Sequence, residues 1–122
     1  MDWNFRNDQP IYSQLIQRLT EAIVSGVYAP GEKLPSVREL ALEAGVNPNT
    51  VQRSLAELER EGLVFSQRTA GRFVTENENM IVNAKLRIAD ERVSEFLRSM
   101  KTLGCGRQEI ISLIEGAKED EE

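Results

Sequence analysis

Histidine is absent from the 122 residues of this chain, and cysteine occurs once, as Cys105. The sequence therefore lacks the commonest general base and the commonest metal ligand. A single cysteine excludes an internal disulfide, and without histidine the chain cannot assemble a thiolate or imidazole zinc site. We also find no nucleophile–base pair. The sequence predicts no catalytic residues, no metal site and no cofactor, and therefore a protein that is not an enzyme.

Long apolar runs are missing too. No segment approaches the roughly 18 apolar residues that cross a membrane, and residues 1–6 have neither the basic start nor the apolar stretch of a secretion signal. We therefore expect no membrane partner and a cytoplasmic location, which a lone reduced cysteine fits. For Cys105, placed between two glycines, a role as a small turn residue is favoured over a redox switch.

An excess of positive charge is missing, since 15 lysines and arginines stand against 20 acids and the formal net charge is −5. Residues 1–75 hold eight lysines and arginines against nine acids, whereas residues 76–122 hold seven against eleven, four of them in an acidic end. The excess of acid therefore lies mainly in the second stretch. A polyanion partner is compatible with the first stretch, because the local potential at a contact surface governs binding more than the sum does.

The first 45 residues contain signals for two helices. Apolar residues recur every four positions from Ile11 to Ser25, with Gly26 ending the run. Ser36 and Glu39 have the spacing of a capping box at the start of a second helix, and Gly45 supplies its left-handed end.

A third helix and a hairpin follow. Asn47 followed by Pro48 is a strong start signal, and the buried face of this helix is predicted to carry Val51, Leu55 and Leu58. After Gly62, residues 63–65 and 73–74 are predicted strands, and Lys33 and Leu34 are expected to add a very short third one. Three helices and a hairpin in this order predict a winged helix-turn-helix: mainly α with a small β-hairpin.

The remaining residues predict a two-helix tail. Residues 76–79 are polar and form a linker or a helix N-cap, and Arg107–Glu115 forms a last short helix. Between them, apolar residues alternate at spacings of four and three, the pattern of a coiled-coil seam. Self-association of this tail as a homodimer is favoured over packing on the first helix. The predicted dimerisation residues are Val82, Leu86, Ala89, Val93, Phe96, Met100, Leu103, Ile110 and Ile114.

The polar face of the third helix suits a DNA major groove. Asparagine and glutamine can bond two edge atoms of adenine, and arginines suit guanine or phosphates. Arg68 and Arg72 are expected at the narrow tip of the hairpin, where arginines can approach the minor groove. We predict that the following residues bind double-stranded DNA: Ser36, Arg38, Asn47, Asn49, Thr50, Gln52, Arg53, Arg68, Thr69, Gly71 and Arg72.

Simpler interpretations exist for each of these features. Asn47 and Pro48 can serve only to start a helix, and Arg38 can pair with a neighbouring glutamate. The arginines of the hairpin can simply keep a strand edge soluble. The alternative function is a winged-helix module for protein–protein interaction without DNA binding, which the acidic composition favours.

Several ordered motifs resemble the DNA-binding domain of GntR-family bacterial transcription regulators, in particular their YtrA-like short branch. The motifs are residues 10–15, 31–41, 47–51 and 58–64. The resemblance implies a dimeric repressor on a two-fold operator, with Arg38 and four third-helix residues (Asn47, Asn49, Thr50 and Gln52) in contacting positions. Two positions depart from the family pattern: Thr69 replaces the first wing glycine, and Gln52 stands where several relatives carry arginine.

The resulting domain organisation is a winged-helix domain over residues 9–77, a helical dimerisation tail over residues 78–116 and an acidic disordered end over residues 117–122. No separate ligand domain fits in this length. Any small-molecule effector would therefore bind at the dimer interface or between the winged-helix domain and the tail.

Overall fold

Three helices and a two-stranded hairpin precede two further helices in the structure, a computed structural model that describes residue 1 and residues 3–118. The elements are α1 (Ile11–Val24), α2 (Val37–Ala44), α3 (Pro48–Arg60), β1 (Val64–Gln67), β2 (Gly71–Val74), α4 (Glu78–Thr102) and α5 (Arg107–Gly116). The mainly helical winged-helix prediction is confirmed. The acidic residues 119–122, predicted to be disordered, lie outside the described residues.

The hydrophobic core of the winged helix forms where α1 and α2 pack on α3 and α3 packs on β1. The predicted inward residues of α3 are fully buried, with Val51 at 0%, Leu55 at 1% and Leu58 at 0% exposure. They meet buried residues from the other elements: Leu15, Leu19, Ile23, Leu40, Leu63, Val64 and Val74. This packing fixes the rotation of α3 and therefore which of its side chains face solvent.

Local signals set the helix ends as expected. Glu39 N donates to Ser36 Oγ at 3.0 Å, and Ser36 N donates to Glu39 Oε1 at 2.9 Å, so the predicted capping box is present. Gly45 adopts a left-handed φ of 67° after α2. At the start of α4, Asn77 Oδ1 accepts from Asn79 N at 3.0 Å, which makes the polar stretch 76–79 an N-cap region.

The hairpin, hereafter the wing (residues 64–74), has longer strands than predicted. Val64 pairs with Val74 and Gln67 with Gly71, which leaves a loop of only residues 68–70. Thr69 in this loop has a left-handed φ of 68°, and such a residue lets a short loop reverse the chain. The expected third strand is a single bridge between Lys33 and Phe73.

One segment was missed by the sequence analysis. Residues 3–6 lie against α1, where the buried side chain of Gln14 accepts from Arg6 N at 2.7 Å and donates to Arg6 O at 2.8 Å. Trp3 and Phe5 pack against the core of the winged helix. A buried glutamine needs such partners, and these particular ones depend on where the preceding chain runs.

The chain divides into two compact units, one ending at Lys85 and the other beginning at Leu86. The division falls inside α4 rather than at its start, because Ala84 belongs to the buried core cluster and Ile81 packs against it. In the described part of the chain, no helix combines the length and the apolar character needed to cross a membrane.

Candidate nucleic-acid interface

The N-terminus of α2 presents Arg38 to solvent. The capping box holds the first turn, and Arg38, the second residue of the helix, is exposed. Hydrogen bonds from the backbone and hydroxyl of Ser36 lower the pKa of Glu39, so this carboxylate is ionised at neutral pH. The hydroxyl of Ser36 accepts the cap hydrogen bond. Ser36 therefore caps the N-terminus of α2, and by fixing this first turn it also fixes the position of Arg38.

The outer face of α3 is a polar ridge, which we define as Asn47, Asn49, Thr50, Gln52 and Arg53. Four of these residues are exposed and Thr50 is half-buried. The opposite side of the helix holds the core, and Ser54 beside it is 0% exposed. Its hydroxyl donates to Thr50 O at 2.9 Å. A helix with one side buried and one polar side exposed is the form in which proteins enter a major groove.

Asn47 is the N-cap of α3, because its Oδ1 accepts from Asn49 N at 2.8 Å. Starting the helix, the simpler interpretation of Asn47, is therefore at least part of its role. With the oxygen engaged at the helix end, the amide NH₂ group is what Asn47 can present to DNA. The two-atom adenine contact that we considered for asparagine fits the exposed Asn49 better.

Arg53 lies over an aromatic ring that the sequence analysis did not connect with it. Its guanidinium carbon is 4.4 Å from the ring centroid of Tyr12 on α1. A cation–π contact of this kind orients an arginine without using its N–H donors. Tyr12 is therefore a candidate positioning residue. Tyr12 belongs to the sequence motif of residues 10–15, but its contact with Arg53 arises only from the packing of α1 on α3.

The tip of the wing carries Arg68 and Thr69, and both are exposed as predicted. Thr69 adopts the left-handed φ that glycine favours, although it has a β-branched side chain. Gly71 has a φ of 114°, and a Cβ added there would lie 3.0 Å from Lys33 Cε. The second wing glycine thus allows both the backbone turn and the approach of Lys33.

Arg72 does not project from the tip as the sequence analysis expected. It lies within β2, and its Nε donates to Glu59 Oε1 on α3 at 2.6 Å. A second donor, NH1, is 3.4 Å from Gln52 Oε1. The acidic partner on α3 draws the guanidinium inward, so Arg68 is the predicted wing arginine that stays exposed at the tip.

Glu59 joins both wing strands to α3. Besides Arg72, it accepts from Ser66 Oγ at 2.7 Å, and Ser66 and Arg72 are direct partners across the two strands. The hydrogen bonds from Arg72 and then Ser66 lower the pKa of Glu59. Glu59 was not predicted from the sequence, because nothing in its neighbourhood marks which of three nearby glutamates faces the wing.

A cleft of about 360 Å³ separates the start of α2 from the wing. It brings together three predicted wing residues and Ser36, and it adds Lys33, which was not singled out as a DNA contact. Its lining is Lys33, Leu34, Pro35, Ser36, Val37, Thr69, Ala70, Gly71 and Arg72. A helix N-terminus beside a lysine favours an anion such as a phosphate group.

The predicted dimerisation residues are mostly uncovered in the single chain. Val82, Leu86, Val93, Phe96, Leu103 and Ile114 are 41–73% exposed, and Ala89 is exposed as well. Met100 is half-buried. Ile110 differs from the others, because it is only 6% exposed and is thus already buried within the protomer.

Comparison with known proteins connects this geometry to a family. The family model described as "Bacterial regulatory proteins, gntR family" matches residues 11–74. The regulator YhcF of Bacillus subtilis, itself uncharacterized, is 38% identical over 97% of this chain and 95% of its own length. The transcriptional repressor YtrA of the same organism is 41% identical over 75% of this chain and 72% of its own length.

Comparison with solved structures leads to the same family. A GntR family transcriptional regulator from Listeria monocytogenes superposes with a TM-score of 0.87 at 36% identity, covering 93% of this chain and 100% of that one. The DNA-binding domain of AraR in complex with operator ORX1 superposes with a TM-score of 0.53 at 26% identity, covering 62% of this chain and 92% of that one. The matched proteins are transcription regulators, and one of them is seen on its operator.

Proposed function

The chain belongs to the gntR family of bacterial regulatory proteins and is a DNA-binding transcription regulator, and from this premise we propose that it is a repressor that binds a two-fold operator as a homodimer. The observation that carries the proposal is the polar ridge on α3, which is exposed along one side while Val51, Leu55 and Leu58 are buried on the other.

In this proposal α3 lies in the major groove. Asn49 and Gln52 face base edges, while Arg38 on α2 takes a guanine or a phosphate and Arg53 takes a phosphate. Arg68 at the wing tip reaches the neighbouring minor groove. These three arginines are all exposed.

The overall charge sets how this contact behaves in salt. With a net charge of −5, attraction to DNA depends on the few local cations and not on a general basic surface. The interaction releases counterions for each phosphate contacted, so affinity falls steeply as salt rises. We therefore expect weak nonspecific binding together with sequence-specific binding that is sensitive to salt.

The second part of the proposal is the homodimer. The apolar residues of α4 repeat at spacings of four and three and are largely exposed. Burying such a stripe against a second copy would remove it from water. Two reading helices related by two-fold symmetry would then meet half-sites about one helical turn, roughly 34 Å, apart.

Repression is proposed because a relative of 41% identity is named a transcriptional repressor. Occupation of a promoter by a dimer of this size would exclude the transcription machinery. The protein acts in the cytoplasm, where bacterial operator DNA lies. An effector, where one regulates binding, would bind at the dimer interface.

The experiment is footprinting of the purified protein on its own promoter, followed by titration of the operator with variants. Arg38→Ala is expected to weaken binding by about 1–3 kcal/mol and to relax one base position. Arg53→Ala is expected to weaken all sequences alike, because phosphate contacts carry no sequence information. Tyr12→Leu, which removes the ring under Arg53, should reproduce a smaller part of the same effect.

Arg60→Ala is the matched control. It removes an arginine from the same helix, but this arginine pairs with Glu57 at the far end of α3. Its operator affinity should equal that of the wild type. The proposed mode of binding would be contradicted if the Arg38→Ala protein bound the operator as tightly as the wild type. It would also be contradicted if footprinting revealed no two-fold-symmetric protected site.

A further inference from the structure

Arg72 makes two contacts that connect the wing to the polar ridge. Its Nε is 2.6 Å from Glu59 Oε1, and its NH1 is 3.4 Å from Gln52 Oε1. Gln52 and Glu59 are seven residues apart and so lie on one side of α3, two turns from each other. The planar guanidinium bridges them. One residue of β2 thus contacts both a carboxylate and a predicted base-reading side chain.

The anchor of this bridge is the ion pair with Glu59. The side chains of Arg72 and Glu59 are only 20% and 30% exposed, so solvent screens the pair less than it screens a fully exposed one. Ser66, the cross-strand partner of Arg72, donates to the same Glu59 oxygen at 2.7 Å. Glu59 therefore fixes the guanidinium from two strands, and NH1 is held beside Gln52.

The contact with Arg72 changes what Gln52 can offer to a base. A free glutamine presents both an acceptor and a donor, which matches the N7 and N6 atoms of adenine. In this structure Oε1 already accepts from Arg72. The oxygen keeps a second lone pair, but it is turned toward the guanidinium. The NH₂ on the other side of the amide, which only donates, is therefore the group directed away from Arg72 and toward a base.

Resting on the proposed mode of DNA binding, we propose that Arg72 is a positioning residue and that Gln52, oriented by it, reads its base as a hydrogen-bond donor and selects guanine over adenine. The major-groove edge of guanine offers two acceptors, N7 and O6, to an NH₂ group. Adenine offers one acceptor beside an amino group that would lose its partner, and cytosine offers only a donor. Arg72 acts through Gln52 and needs no contact with DNA.

The test is selection of operator half-sites from a randomised library by the full-length protein, with the base preference measured at each position. Gln52→Ala identifies the base pair that Gln52 reads, because the preference is lost there alone. At that pair the wild type is expected to select guanine. Arg72→Met keeps the length of the side chain but removes its donors. It should shift the guanine-to-adenine ratio at that pair about fivefold to tenfold toward adenine, within the range of one base contact.

Three variants separate positioning from other roles. Arg72→Lys keeps the charge but cannot bridge Glu59 and Gln52 at once, so it should shift the preference as Arg72→Met does. Glu59→Gln removes the ion pair that anchors Arg72 and should shift the base preference in the same direction. Arg60→Met makes the same chemical change on α3 at an arginine that pairs with Glu57 and is not proposed to contact DNA, and it should leave the preference at this pair unchanged.

A double variant completes the design. Gln52→Ala combined with Arg72→Met should show the same preference at this pair as Gln52→Ala alone, because Arg72 acts there only through Gln52. Thermal unfolding identifies any variant that fails to fold. If Arg72→Met is one of them, Arg72→Lys and Glu59→Gln decide the question by the same ratio.

Several results would overturn the inference. They are a wild type that selects an A·T pair instead of a G·C pair at the identified position, a Gln52→Ala protein that relaxes no pair, and an Arg72→Met protein that binds all sequences more weakly with its preference intact. The last result would make Arg72 a phosphate contact or a purely structural residue. A wild type that selects no sequence at all would overturn the proposed function as well, whereas the first three leave that function standing.

Discussion

In the unit that ends at Lys85, α1, α2, α3 and the wing bury their large apolar side chains almost completely, and Leu15, Leu40 and Leu58 are 0% exposed. In the unit that begins at Leu86, comparable side chains are open, with Leu86 at 59% and Leu103 at 73% exposure. The first unit buries its own core, whereas the second leaves large apolar side chains exposed. If α4 pairs two copies as proposed, the winged helix buries its core without that contact.

The largest expected effect tests the self-contained core. Leu58→Ala removes a fully buried side chain and should lower the free energy of unfolding by about 2–5 kcal/mol in denaturant titrations, through lost burial and the cavity left behind. Leu42→Ala is the control, since Leu42 on α2 is 80% exposed. It should stay within about 0.5 kcal/mol of the wild type. Equal effects of the two substitutions on the free energy of unfolding would contradict the assignment of Leu58 to the core and Leu42 to the surface.

The next effect tests the open surface of α4. Val93→Asp places a charge in the exposed apolar stripe, where Val93 is 53% exposed. If the stripe pairs two copies, desolvation of this carboxylate should raise the dimer dissociation constant at least about 100-fold, or roughly 2.7 kcal/mol. Sedimentation equilibrium measures it.

Ser94→Asp adds the same charge to the adjacent exposed position, off the stripe, and should leave association nearly unchanged. A Val93→Asp protein that associates as the wild type does would mean that α4 is not the pairing surface. A wild type that stays monomeric at micromolar concentration would do the same.

A smaller effect is expected at Gly62, where α3 ends. Its φ is +83°, and an added Cβ would come 2.5 Å from Met80 Cε. Gly62→Ala should therefore cost about 1–2 kcal/mol, measured by thermal unfolding. The matched substitution in the other unit is Gly116→Ala at the end of α5, where nothing lies within 4 Å of an added Cβ. It should not destabilise the protein, and a loss equal to that of Gly62→Ala would refute the steric argument.

The smallest effect concerns the link between the wing and α3. Hydrogen bonds from Arg72 and Ser66 lower the pKa of Glu59 below its ordinary value of 4.5. Ionised Glu59 therefore stabilises the folded state above that value, and the contribution is lost as the pH falls through the lowered folded-state pKa. Glu59→Gln should cost on the order of 1 kcal/mol or less at neutral pH. Its difference from the wild type should shrink toward acid.

Denaturant titrations at several pH values measure this difference. In an Arg72→Met background the dependence of the Glu59→Gln effect on pH should be much reduced, because the main cause of the lowered pKa is gone. A difference from the wild type that persists unchanged into acid would exclude the ion pair as its origin.

Sequence reasoning succeeded where the cause is local. The capping box of Ser36 and Glu39, the N-cap at Asn47 and the left-handed Gly45 follow from residues at most three positions apart. The apolar periods of α1 and α3 likewise identified which sides are buried. Strand ends in the wing were less accurate, because pairing across the hairpin extended them beyond the apolar residues.

The exposure of the predicted site residues was easier to foresee than the direction of their side chains. Arg38, Asn49 and Arg68 are exposed on the expected elements. Arg72 was expected at the wing tip and lies against α3 instead. Its direction is set by Glu59, thirteen residues earlier in the chain, and no spacing rule connects a strand residue to a particular helical carboxylate.

By itself, the sequence determined the helices, their ends, the buried side of α3 and the apolar stripe of α4, because each depends on periodicity or capping within a few residues. Only the tertiary structure decided how Arg53 lies over Tyr12 and how Arg72 bridges Glu59 and Gln52. Those contacts join side chains 13 to 41 positions apart. Their geometry exists only after α1 and the wing have packed on α3, and it is this packing that orients the side chains proposed to face DNA.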